Sequence, residues 1–380
     1  MIPYGKQDIT KEDIKSVVDI LNSDFLTQGP AVPFFEKSLC DYTGAKYSIA
    51  VNSATSALHI ACLSLGLQKG DVLWTSAISF AASANCAIYC GADVDFVDVD
   101  SDTGLMCINA LRSKLLKAKA ANTLPKIVIP VHLAGQPCNM KEIFELSKEF
   151  HFRIIEDAAH AIGAEYFNKK VGSCEFSDIS VFSFHPVKII TTAEGGSALT
   201  NNKELADRME LLRSHGITRE KKLMNLPDNE DWYYEQISLG FNYRMSDIHA
   251  ALGISQIQRI ESFINKRSKI AKWYDLQFEN TPIKPLAQIE GRKSSHHLYI
   301  VRILEGEIER NNLYRMLKLN GINANLHYIP IYRHPFFNRK IRLFGTEEYY
   351  KSAITLPIYP KISNQSLSMI VDKVLENIAK

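Results

Sequence analysis

Residues 153–200 read RIIEDAAHAIGAEYFNKKVGSCEFSDISVFSFHPVKIITTAEGGSALT, and this stretch decides the fold. It contains three short apolar segments that predict strands, at 153–156, 180–184 and 196–200. Asp157 directly follows the first of these strands, and Lys188 comes shortly after the second. In parallel sheets, the loops beyond the carboxyl ends of the strands bind ligands. We therefore expect Asp157 and Lys188 to share one functional edge.

Predicted strands also recur toward the N-terminus, where they alternate with predicted helices. Further strands are predicted at 48–51, 72–75, 94–99 and 127–132, with helices at 56–65, 81–89, 109–121 and 141–150. This alternation indicates an α/β fold with a mostly parallel sheet and helices on both faces. Before it, Thr10 and Asp13 resemble a capping box that begins a helix. The segment 24–30 is predicted to be a loop, because Gly29-Pro30 interrupts any regular element.

The pattern changes near Ser246. We predict one long helix over 246–279, then a strand at 297–303, a helix at 307–319, a strand-like segment at 324–329 and a final helix at 365–378. The chain is thus expected to form two domains. Residues 1–245 would be a large domain that includes the N-terminal segment, and 246–380 would be the long linking helix with a smaller C-terminal α/β domain.

Composition excludes several classes of protein. Lys and Arg total 44 against 42 Asp and Glu, a net charge of +2, which argues against a nucleic-acid binder. Seven cysteines are scattered without zinc-binding spacing, so we expect reduced thiols and no metal site. No signal peptide is visible, and no apolar run reaches the roughly 18 residues that a membrane span needs. These features predict a cytoplasmic protein that contacts no membrane.

Lys188 lies in VFSFHPVKIITTAEGG, residues 181–196, just after a predicted strand. A lysine in a desolvated pocket can lose its proton and form a Schiff base with a carbonyl compound. The alternative is a surface lysine, which the surrounding serine, histidine and glycine residues make less favoured. Asp157 can pair with the pyridine nitrogen of pyridoxal phosphate (PLP), although a helix N-cap would also suit it.

Two further segments suit a phosphorylated ring. VNSATSALH, residues 51–59, places Thr55 and Ser56 at the start of a helix, where free N–H groups bind anions. Ordinary N-capping by Ser53 or Thr55 would have the same pattern. Phe80 follows a strand end and could stack on the cofactor ring, although a core position is the commoner fate of a phenylalanine. SLGFNYRMSD, residues 238–247, could be a loop and nothing more.

Together these segments resemble the DegT/DnrJ/EryC1/StrS family of sugar-nucleotide aminotransferases, PLP enzymes of fold type I. The resemblance covers nearly the whole chain. It is carried by DAAHAIGAEY (157–166), SFHPVK with TTAEGG (183–196) and GFNYRMSD (240–247) in this order. Finer likenesses are LTQG (26–29), NSATSALH (52–59), RSHGITR (213–219) and NLHYIPIY (325–332). Ala193 departs from the family, which often has glycine there.

The resemblance implies PLP as the cofactor and assigns roles to individual residues. Lys188 would be the Schiff-base and proton-transfer residue, Asp157 the pyridinium partner and His160 the neighbour of the phenolic oxygen. The cofactor phosphate would bind Thr55, Ser56 and Ser183, with Phe80 over the ring. Asn242 would reach the phosphate of the neighbouring subunit, which implies a homodimer with shared active sites. The implied sugar-nucleotide contacts are Tyr4, Asp24, Phe25, Leu26, Thr27, Ala54, Asn325, Leu326, His327 and Tyr328.

The implied reaction moves the amino group of L-glutamate to C4 of a UDP-linked 4-keto-6-deoxy-N-acetylhexosamine. Its product would be UDP-4-amino-4,6-dideoxy-N-acetyl-β-L-altrosamine, for pseudaminic acid synthesis. Another nucleotide-linked keto-sugar, such as a dTDP-4-keto-6-deoxyhexose, is the alternative, and a PLP-binding sensor without catalysis is a further one. A PLP-dependent sugar dehydratase would carry histidine at position 188. A nicotinamide dehydrogenase would carry G-x-G-x-x-G, which the chain lacks.

Overall fold

The computed structural model describes residues 1–226, 230–337 and 339–378. Its helices are α1 (Lys11–Leu21), α2 (Ala31–Thr43), α3 (Ala54–Ser64), α4 (Ala82–Tyr89), α5 (Ile108–Ala121), α6 (Met140–Phe150), α7 (Lys203–Arg213), α8 (Asp247–Ile257), α9 (Ile260–Phe278), α10 (Glu307–Leu319), α11 (Phe344–Ser352) and α12 (Asn364–Ile378). Its strands are β1 (Tyr47–Val51), β2 (Val72–Ser76), β3 (Asp93–Val97), β4 (Ile127–Ile129), β5 (Arg153–Asp157), β6 (Glu165–Tyr166), β7 (Lys169–Lys170), β8 (Ile179–Ser183), β9 (Gly196–Thr200), β10 (Ile217–Thr218), β11 (Glu235–Gln236), β12 (Ile283–Pro285), β13 (Arg292–Lys293), β14 (Tyr299–Ile303) and β15 (Ala353–Leu356).

The main sheet has seven strands in the order β1-β9-β8-β5-β4-β2-β3. Its neighbours pair in parallel from β8 to β3, whereas β9 runs antiparallel to both β1 and β8. This confirms the predicted mostly parallel sheet. A direct connection joins β8 to β9, and Ser183 pairs with Gly196 at its base. The segment that carries Lys188 is therefore a loop between two adjacent, paired strands.

Helices cover both faces of this sheet, which explains why its central strands are apolar on both sides. On one face Ile60 of α3 and Met209 of α7 share a buried core with Leu73 of β2. On the other face Leu115 of α5 and Ile143 of α6 share a buried core with Val128 of β4. Burying one such side chain stabilises the fold by about 1.5–3 kcal/mol. The two cores hold the strand ends in fixed relation to one another.

The N-terminal helix begins with the predicted capping box. The backbone N–H of Thr10 donates to the Asp13 carboxylate at 2.9 Å. Asp13 is fully buried, and Arg259 donates to it at 2.5 Å while Gln256 donates at 2.9 Å. Asp13 therefore caps α1 and also attaches this helix to the C-terminal part of the chain, through Gln256 and Arg259.

The prediction of one continuous helix over 246–279 is wrong. The structure has α8 and α9, separated at Gln258 and Arg259, where Arg259 leaves the helical conformation at φ −107° and ψ 4°. The break coincides with the ion pair of Arg259 with Asp13. A contact with α1, far away in sequence, is invisible to helical periodicity, and this explains the error.

The C-terminal part has its own antiparallel sheet, β12-β14-β15, against which α9, α10 and α12 pack. The strand-like segment predicted at 324–329 is not a strand. Only Asn325 pairs, as an isolated bridge to Thr355. Ten of the helices and strands described above had no counterpart in the sequence prediction: α2, α7, α11, β6, β7, β10, β11, β12, β13 and β15. The division into two domains at 245/246 falls just before α8 and stays a prediction.

Within the described ranges, every helix is too short or too polar to cross a bilayer.

Candidate active site

A cavity of about 370 Å³ lies beyond the carboxyl ends of the parallel strands of the main sheet. Strand ends, the β8–β9 loop, the start of α3, the N-terminal segment and the 325–328 segment all contribute to its wall. The sequence-predicted residues that line it are Tyr4, Ala54, Thr55, Phe80, Asp157, His160, Ser183, Lys188, Asn325, His327 and Tyr328. Residues far apart in sequence thus converge on one site.

Lys188 projects from a turn in the β8–β9 loop. Its backbone N–H donates to the carbonyl of His185 at 2.9 Å, and Thr192 N–H donates to the Phe184 carbonyl at 3.0 Å across the loop base. Burial of the amine lowers the pKa of Lys188 to about 8, and the charge of Asp157 only partly opposes this shift. Near neutral pH, some of the amine is therefore free of its extra proton, as a nucleophile requires.

Ala193, in the same loop, has a φ of +66°. This left-handed conformation is unfavourable for residues with a Cβ atom, and glycine adopts it freely. The backbone N–H of Ala193 donates to Thr191 Oγ1 at 2.9 Å, which fixes the turn. Glycine would therefore fit this position without strain.

Asp157 ends β5 and is held through both carboxylate oxygens. Ser83 Oγ donates to Oδ2 at 2.6 Å, and Ala159 N–H donates to Oδ1 at 3.1 Å. Ser83 in turn lies 2.6 Å from Ser79 Oγ. Asp157 is 6% exposed, so this pair of hydrogen bonds fixes the direction of its carboxylate. Asp157 and Lys188 line the same cavity, and the charge of Asp157 partly offsets the lowering of the Lys188 pKa.

The start of α3 forms another part of the wall. Ser53 is its N-cap and its Oγ accepts the backbone N–H of Ser56 at 3.1 Å, so the ordinary capping alternative holds for Ser53. Thr55 lines the cavity, but Ser56 does not: its hydroxyl donates to Asn52 Oδ1 at 2.7 Å. A Cβ atom at Gly196 would collide with the backbone of Ala54, so this approach of β9 to α3 requires glycine.

Aromatic side chains and imidazoles form the remaining wall. His160 Nδ1 accepts the backbone N–H of Ala134 at 3.3 Å, and its Nε2 lies 3.1 Å from the hydroxyl oxygen of Tyr328. Burial, together with the charge of Lys188, lowers the pKa of His160 well below its usual range. His160 is therefore a neutral imidazole in this site.

His297 packs its ring against His160, with ring centroids 4.4 Å apart. Burial and nearby charges lower the pKa of His297 well below its usual range as well. Arg267 fixes the backbone here, because its guanidinium donates to the carbonyl of His297 at 3.0 Å and to that of Ile358 at 3.1 Å. A side chain of α9 thus supports the cavity wall from behind.

A further part of the cavity wall carries His327, Tyr4 and Phe80. His327 Nδ1 lies 2.8 Å from Thr355 Oγ1, and the ring centroids of His327 and Tyr4 are 5.3 Å apart. Burial lowers the pKa of His327 to about 3, so this imidazole is also neutral. The Phe80 ring is 63% exposed at the cavity wall, which rules out the core alternative for this residue.

Several predicted residues do not line the cavity of this chain. Ser56 is turned away, as described, and Leu326 is absent from the wall. Residues 24–27 are exposed and lie elsewhere; Thr27 pairs with Ser246 instead. Asn242 is exposed and pairs with Ser214, which leaves its predicted reach into a neighbouring subunit as a prediction.

The sequence analysis missed several residues that support or line the site: Ser79, Ser83, His185, Glu194, Gly195 and His297. The first two offered a signal, because both follow a strand end, where the loops of a parallel sheet bind ligands. His297 offered no such signal. It comes from the C-terminal part of the chain, and only the folded structure brings it to His160.

Comparison with known proteins finds relatives that match this chain over its whole length. A sequence model of the DegT/DnrJ/EryC1/StrS aminotransferase family matches residues 7–375. The chain is 38% identical to the UDP-4-amino-4,6-dideoxy-N-acetyl-beta-L-altrosamine transaminase of Campylobacter jejuni, over 100% of this chain and 99% of that protein. Among solved structures it is similar to Helicobacter pylori PseC, an aminotransferase involved in the biosynthesis of pseudoaminic acid. That match has 33% identity and a TM-score of 0.91, over 100% of this chain and 99% of the other.

A second structural relative is the PLP form of a Streptococcus pneumoniae protein described as a sugar aminotransferase. The match has 30% identity and a TM-score of 0.89, over 100% of this chain and 98% of the other.

Proposed function

The chain belongs to the DegT/DnrJ/EryC1/StrS aminotransferase family, and on that premise we propose which reaction it catalyses and which residues catalyse it. It is a PLP-dependent sugar-nucleotide aminotransferase with the fold of type I PLP enzymes. Its proposed reaction transfers the amino group of L-glutamate to C4 of UDP-2-acetamido-2,6-dideoxy-β-L-arabino-hexos-4-ulose. The product is UDP-4-amino-4,6-dideoxy-N-acetyl-β-L-altrosamine. The observation that carries this proposal is the 38% identity, end to end, with a transaminase named for that product.

The cavity fits PLP. An amine with a pKa near 8 and a fixed carboxylate face the same space, as the aldehyde and the pyridine nitrogen of the cofactor require. The start of α3, with Thr55 in the wall, suits a phosphate through its free N–H groups. The exposed ring of Phe80 is placed to cover an aromatic ligand.

When bound, PLP supplies an aldehyde that condenses with amines and a ring that takes up electrons as a C–H bond breaks. We propose that Lys188 Nζ holds the cofactor between turnovers. The same atom then removes the proton from the α-carbon of glutamate and later delivers a proton to C4 of the sugar. The lowered pKa of Lys188 suits both tasks, because an amine that titrates near pH 8 can accept and donate a proton near neutral pH.

We propose that Asp157 keeps a negative charge at the far end of the cavity, opposite the pyridine nitrogen. Ser83 and Ala159 hold its carboxylate in that direction. His160 would lie beside the phenolic oxygen as a neutral imidazole. Thr55 and Ser183 would bind the phosphate through their hydroxyls. Ser56 would contribute only through its backbone, because its side chain bonds Asn52.

The sugar nucleotide would contact the part of the wall formed by the N-terminal segment, the start of α3 and the 325–328 segment. Tyr4, Ala54 and the segment 325–328 remain the proposed contacts, with Leu326 acting through its backbone because it is outside the wall. Residues 24–27 and Asn242 would act on the site of the other subunit in a homodimer. Large apolar side chains that are exposed in a single chain suit such an interface, among them Phe25, Leu26, Phe34, Trp232 and Leu239.

We propose further that the enzyme acts in the cytoplasm, where activated sugars are made, and that residues 1–245 and 246–380 form its two domains. The second part has its own sheet and its own core around Tyr274, Val301 and Ile370.

A panel of keto-sugars tests the function. The purified enzyme with PLP and L-glutamate would receive the UDP-linked substrate named above, its C5 epimer and a dTDP-4-keto-6-deoxyhexose, and amino-sugar formation would be followed by mass spectrometry. We expect the first substrate to have the highest kcat/KM. Preference for the dTDP-linked sugar would replace the proposed substrate with the alternative, and no 2-oxoglutarate from any of them would refute the proposed reaction.

A further inference from the structure

Arg267 on α9 is a buried arginine that binds backbone carbonyl groups. Its side chain is 1% exposed, and Nη1 donates to the carbonyl oxygens of His296 at 3.3 Å, His297 at 3.0 Å and Ile358 at 3.1 Å. Burial lowers the pKa of Arg267 to about 10, and no acidic group in the described part of the chain opposes this shift. An arginine is rarely buried without an ion pair, because desolvating its charge costs free energy. Such a side chain is expected where the position of its partners matters for function.

The first two carbonyls belong to the segment 294–298, which holds His160 from two sides. The ring centroid of His297 lies 4.4 Å from that of His160. Ser295 Oγ donates to the backbone carbonyl of His160 at 2.9 Å. Arg267 therefore fixes a segment that contacts both the ring and the backbone of this wall residue.

Ser295 also fits closely against Gly135. The backbone N–H of Ser295 donates to the Gly135 carbonyl at 3.1 Å. Gly135 has a φ of +97°, and a Cβ atom there would collide with Ser295 Oγ and with the backbone oxygen of His160. This close approach leaves the segment 294–298 little room to shift unless His160 shifts with it.

The third carbonyl leads to a different part of the cavity wall. Ile358 is fully buried, and its backbone N–H donates to the carbonyl of Tyr4 at 3.0 Å. Tyr4 lines the cavity, where its ring centroid is 5.3 Å from that of His327. Tyr4 belongs to the N-terminal segment, whereas His160 follows β5. The guanidinium of Arg267 is thus one residue away from each of two wall residues that are far apart in sequence.

We propose that Arg267 is a positioning residue that fixes the cofactor side of the site relative to the sugar side, through His297 to His160 and through Ile358 to Tyr4. The inference rests on the proposed function, in which His160 contacts PLP and Tyr4 contacts the sugar nucleotide. Arg267 lies outside the cavity wall and acts only through these neighbours. A planar guanidinium suits this task, because its donors have fixed directions and the carbonyls bound to it cannot move independently.

Arg310 on α10 provides a matched control. It is also 1% exposed, and its Nη1 donates to the carbonyls of Tyr350 at 2.8 Å and Ala353 at 3.1 Å. Neither of these two residues lines the cavity. Arg267→Met and Arg310→Met both remove a buried guanidinium that binds carbonyls, but only the first removes contacts that lead to the site.

NMR of the histidine side chains tests the proposal without any sugar. Full-length holoenzyme with isotope-labelled histidine would be used, and the His160→Gln and His297→Gln variants would assign the two signals. Arg267→Met should shift or broaden the signals of His160 and His297, because their rings lose a fixed environment. Arg310→Met should leave both signals unchanged. An unchanged His160 signal in Arg267→Met, or the same change in Arg310→Met, would overturn the proposal.

Kinetics test whether both sides of the site respond. Arg267→Met should slow the half-reaction with glutamate, followed by the absorbance of the bound cofactor, and should raise KM for the UDP-sugar, each by about tenfold. Ser295→Ala loses the hydrogen bond to His160 but keeps the bond between Ile358 and Tyr4, so it should slow the half-reaction without raising that KM. A response on one side only in Arg267→Met would contradict the proposed coupling.

Failure of the proposed function would be recognised separately. Wild-type enzyme that aminated no keto-sugar would refute that function, whereas the NMR comparison and the half-reaction with glutamate would still test Arg267.

Arg267→Lys covers the case in which Arg267→Met does not fold. Lysine keeps the charge, but its ammonium group lacks the planar geometry that binds carbonyls of two separate segments. Both sides of the site should again respond, with smaller changes than in the methionine variant. Wild-type NMR signals and kinetics in Arg267→Lys would show that the geometry of the guanidinium is not needed, and the proposal would fail.

Discussion

The Nε2 atom of His160 lies 3.1 Å from the hydroxyl oxygen of Tyr328. Nδ1 of the same ring accepts the backbone N–H of Ala134, so it carries no hydrogen. A neutral imidazole then has its hydrogen on Nε2, which makes His160 the donor and Tyr328 the acceptor. The phenol hydrogen of Tyr328 is left free to point into the cavity and to be donated to a ligand there.

Tyr328→Phe should therefore lower kcat/KM for amination about 10–100-fold, because a hydrogen bond to a charged or reacting group contributes about 1.5–3 kcal/mol. The PLP absorbance band should persist, since the ring of residue 328 remains. Steady-state kinetics on the UDP-sugar would measure the change. Tyr42→Phe, which removes a hydroxyl bonded to Glu261 away from the cavity, is the matched control. Equal kinetics for the two variants would exclude this role for Tyr328.

Borohydride should reduce the holoenzyme so that the cofactor remains covalently attached to the peptide that contains Lys188. Lys188→Ala should show no such mass addition and should lose amination by about 100-fold or more, because the proton-transfer group is gone. Lys169→Ala, on the exposed side of a short strand, should behave like wild type. A label on another lysine, or turnover in Lys188→Ala, would remove Lys188 from the mechanism.

Asp157→Ala should abolish most activity because the cavity loses a carboxylate that two hydrogen bonds hold in place. Ser83→Ala removes one of these bonds and leaves the charge, so we expect a smaller loss of about tenfold. Rates of both variants at saturating glutamate would establish the order. If Ser83→Ala were as inactive as Asp157→Ala, the hydroxyl would have a role beyond orientation.

The lowered pKa of Lys188 predicts a pH-dependent stability of the apoprotein. The unfolded chain keeps this amine protonated up to its ordinary pKa of about 10.4, whereas the folded chain releases the proton near pH 8. Folded apoprotein is thus penalised below pH 8, and the penalty fades as pH rises toward 10. Lys188→Met should be more stable than wild type at pH 7, by on the order of 1 kcal/mol after allowance for solvent screening.

Urea unfolding of both apoproteins at pH 7 and at pH 9.5 would measure this difference. It should shrink at the higher pH. A difference that grew with pH would have the wrong sign and would contradict the lowered pKa.

Ala193→Gly should stabilise the protein by up to about 1 kcal/mol. The left-handed φ of +66° costs a residue with a Cβ atom about 1–2 kcal/mol, and the greater freedom of unfolded glycine offsets part of the gain. Ala198→Gly, in the extended and fully buried β9, should destabilise instead. Chemical unfolding would compare the two. Destabilisation by both would mean that the Ala193 side chain makes a stabilising contact.

The sequence was most informative where chemistry and local structure coincide. Lys188 and Asp157 stand at predicted strand ends, and parallel strands bring such ends together, so their shared cavity could be expected. The capping box at Thr10 is likewise a local pattern, because donor and acceptor lie within one turn.

What could not be predicted depends on contacts between distant segments. The α8–α9 break coincides with the ion pair of Arg259 and Asp13, and Arg267 fixes the backbone of His297, whose ring packs on the wall residue His160. The segment 324–329 has strand-like composition, but only Asn325 pairs with another segment. Asn325, His327 and Tyr328 line the cavity instead. None of these contacts produces a periodic pattern in the amino-acid sequence.

The reversed direction of β9 has a consequence for how this site can evolve or be redesigned. Residues 184–195 form a loop whose two ends are joined by the pairing of Ser183 with Gly196. Inserting one amino acid into β8 or β9 beside this loop would exchange the two faces of that strand and move the Lys188 amine away from the Asp157 carboxylate. New substrate preferences should therefore arise through changes around residues 325–328, while the 184–195 loop keeps its length.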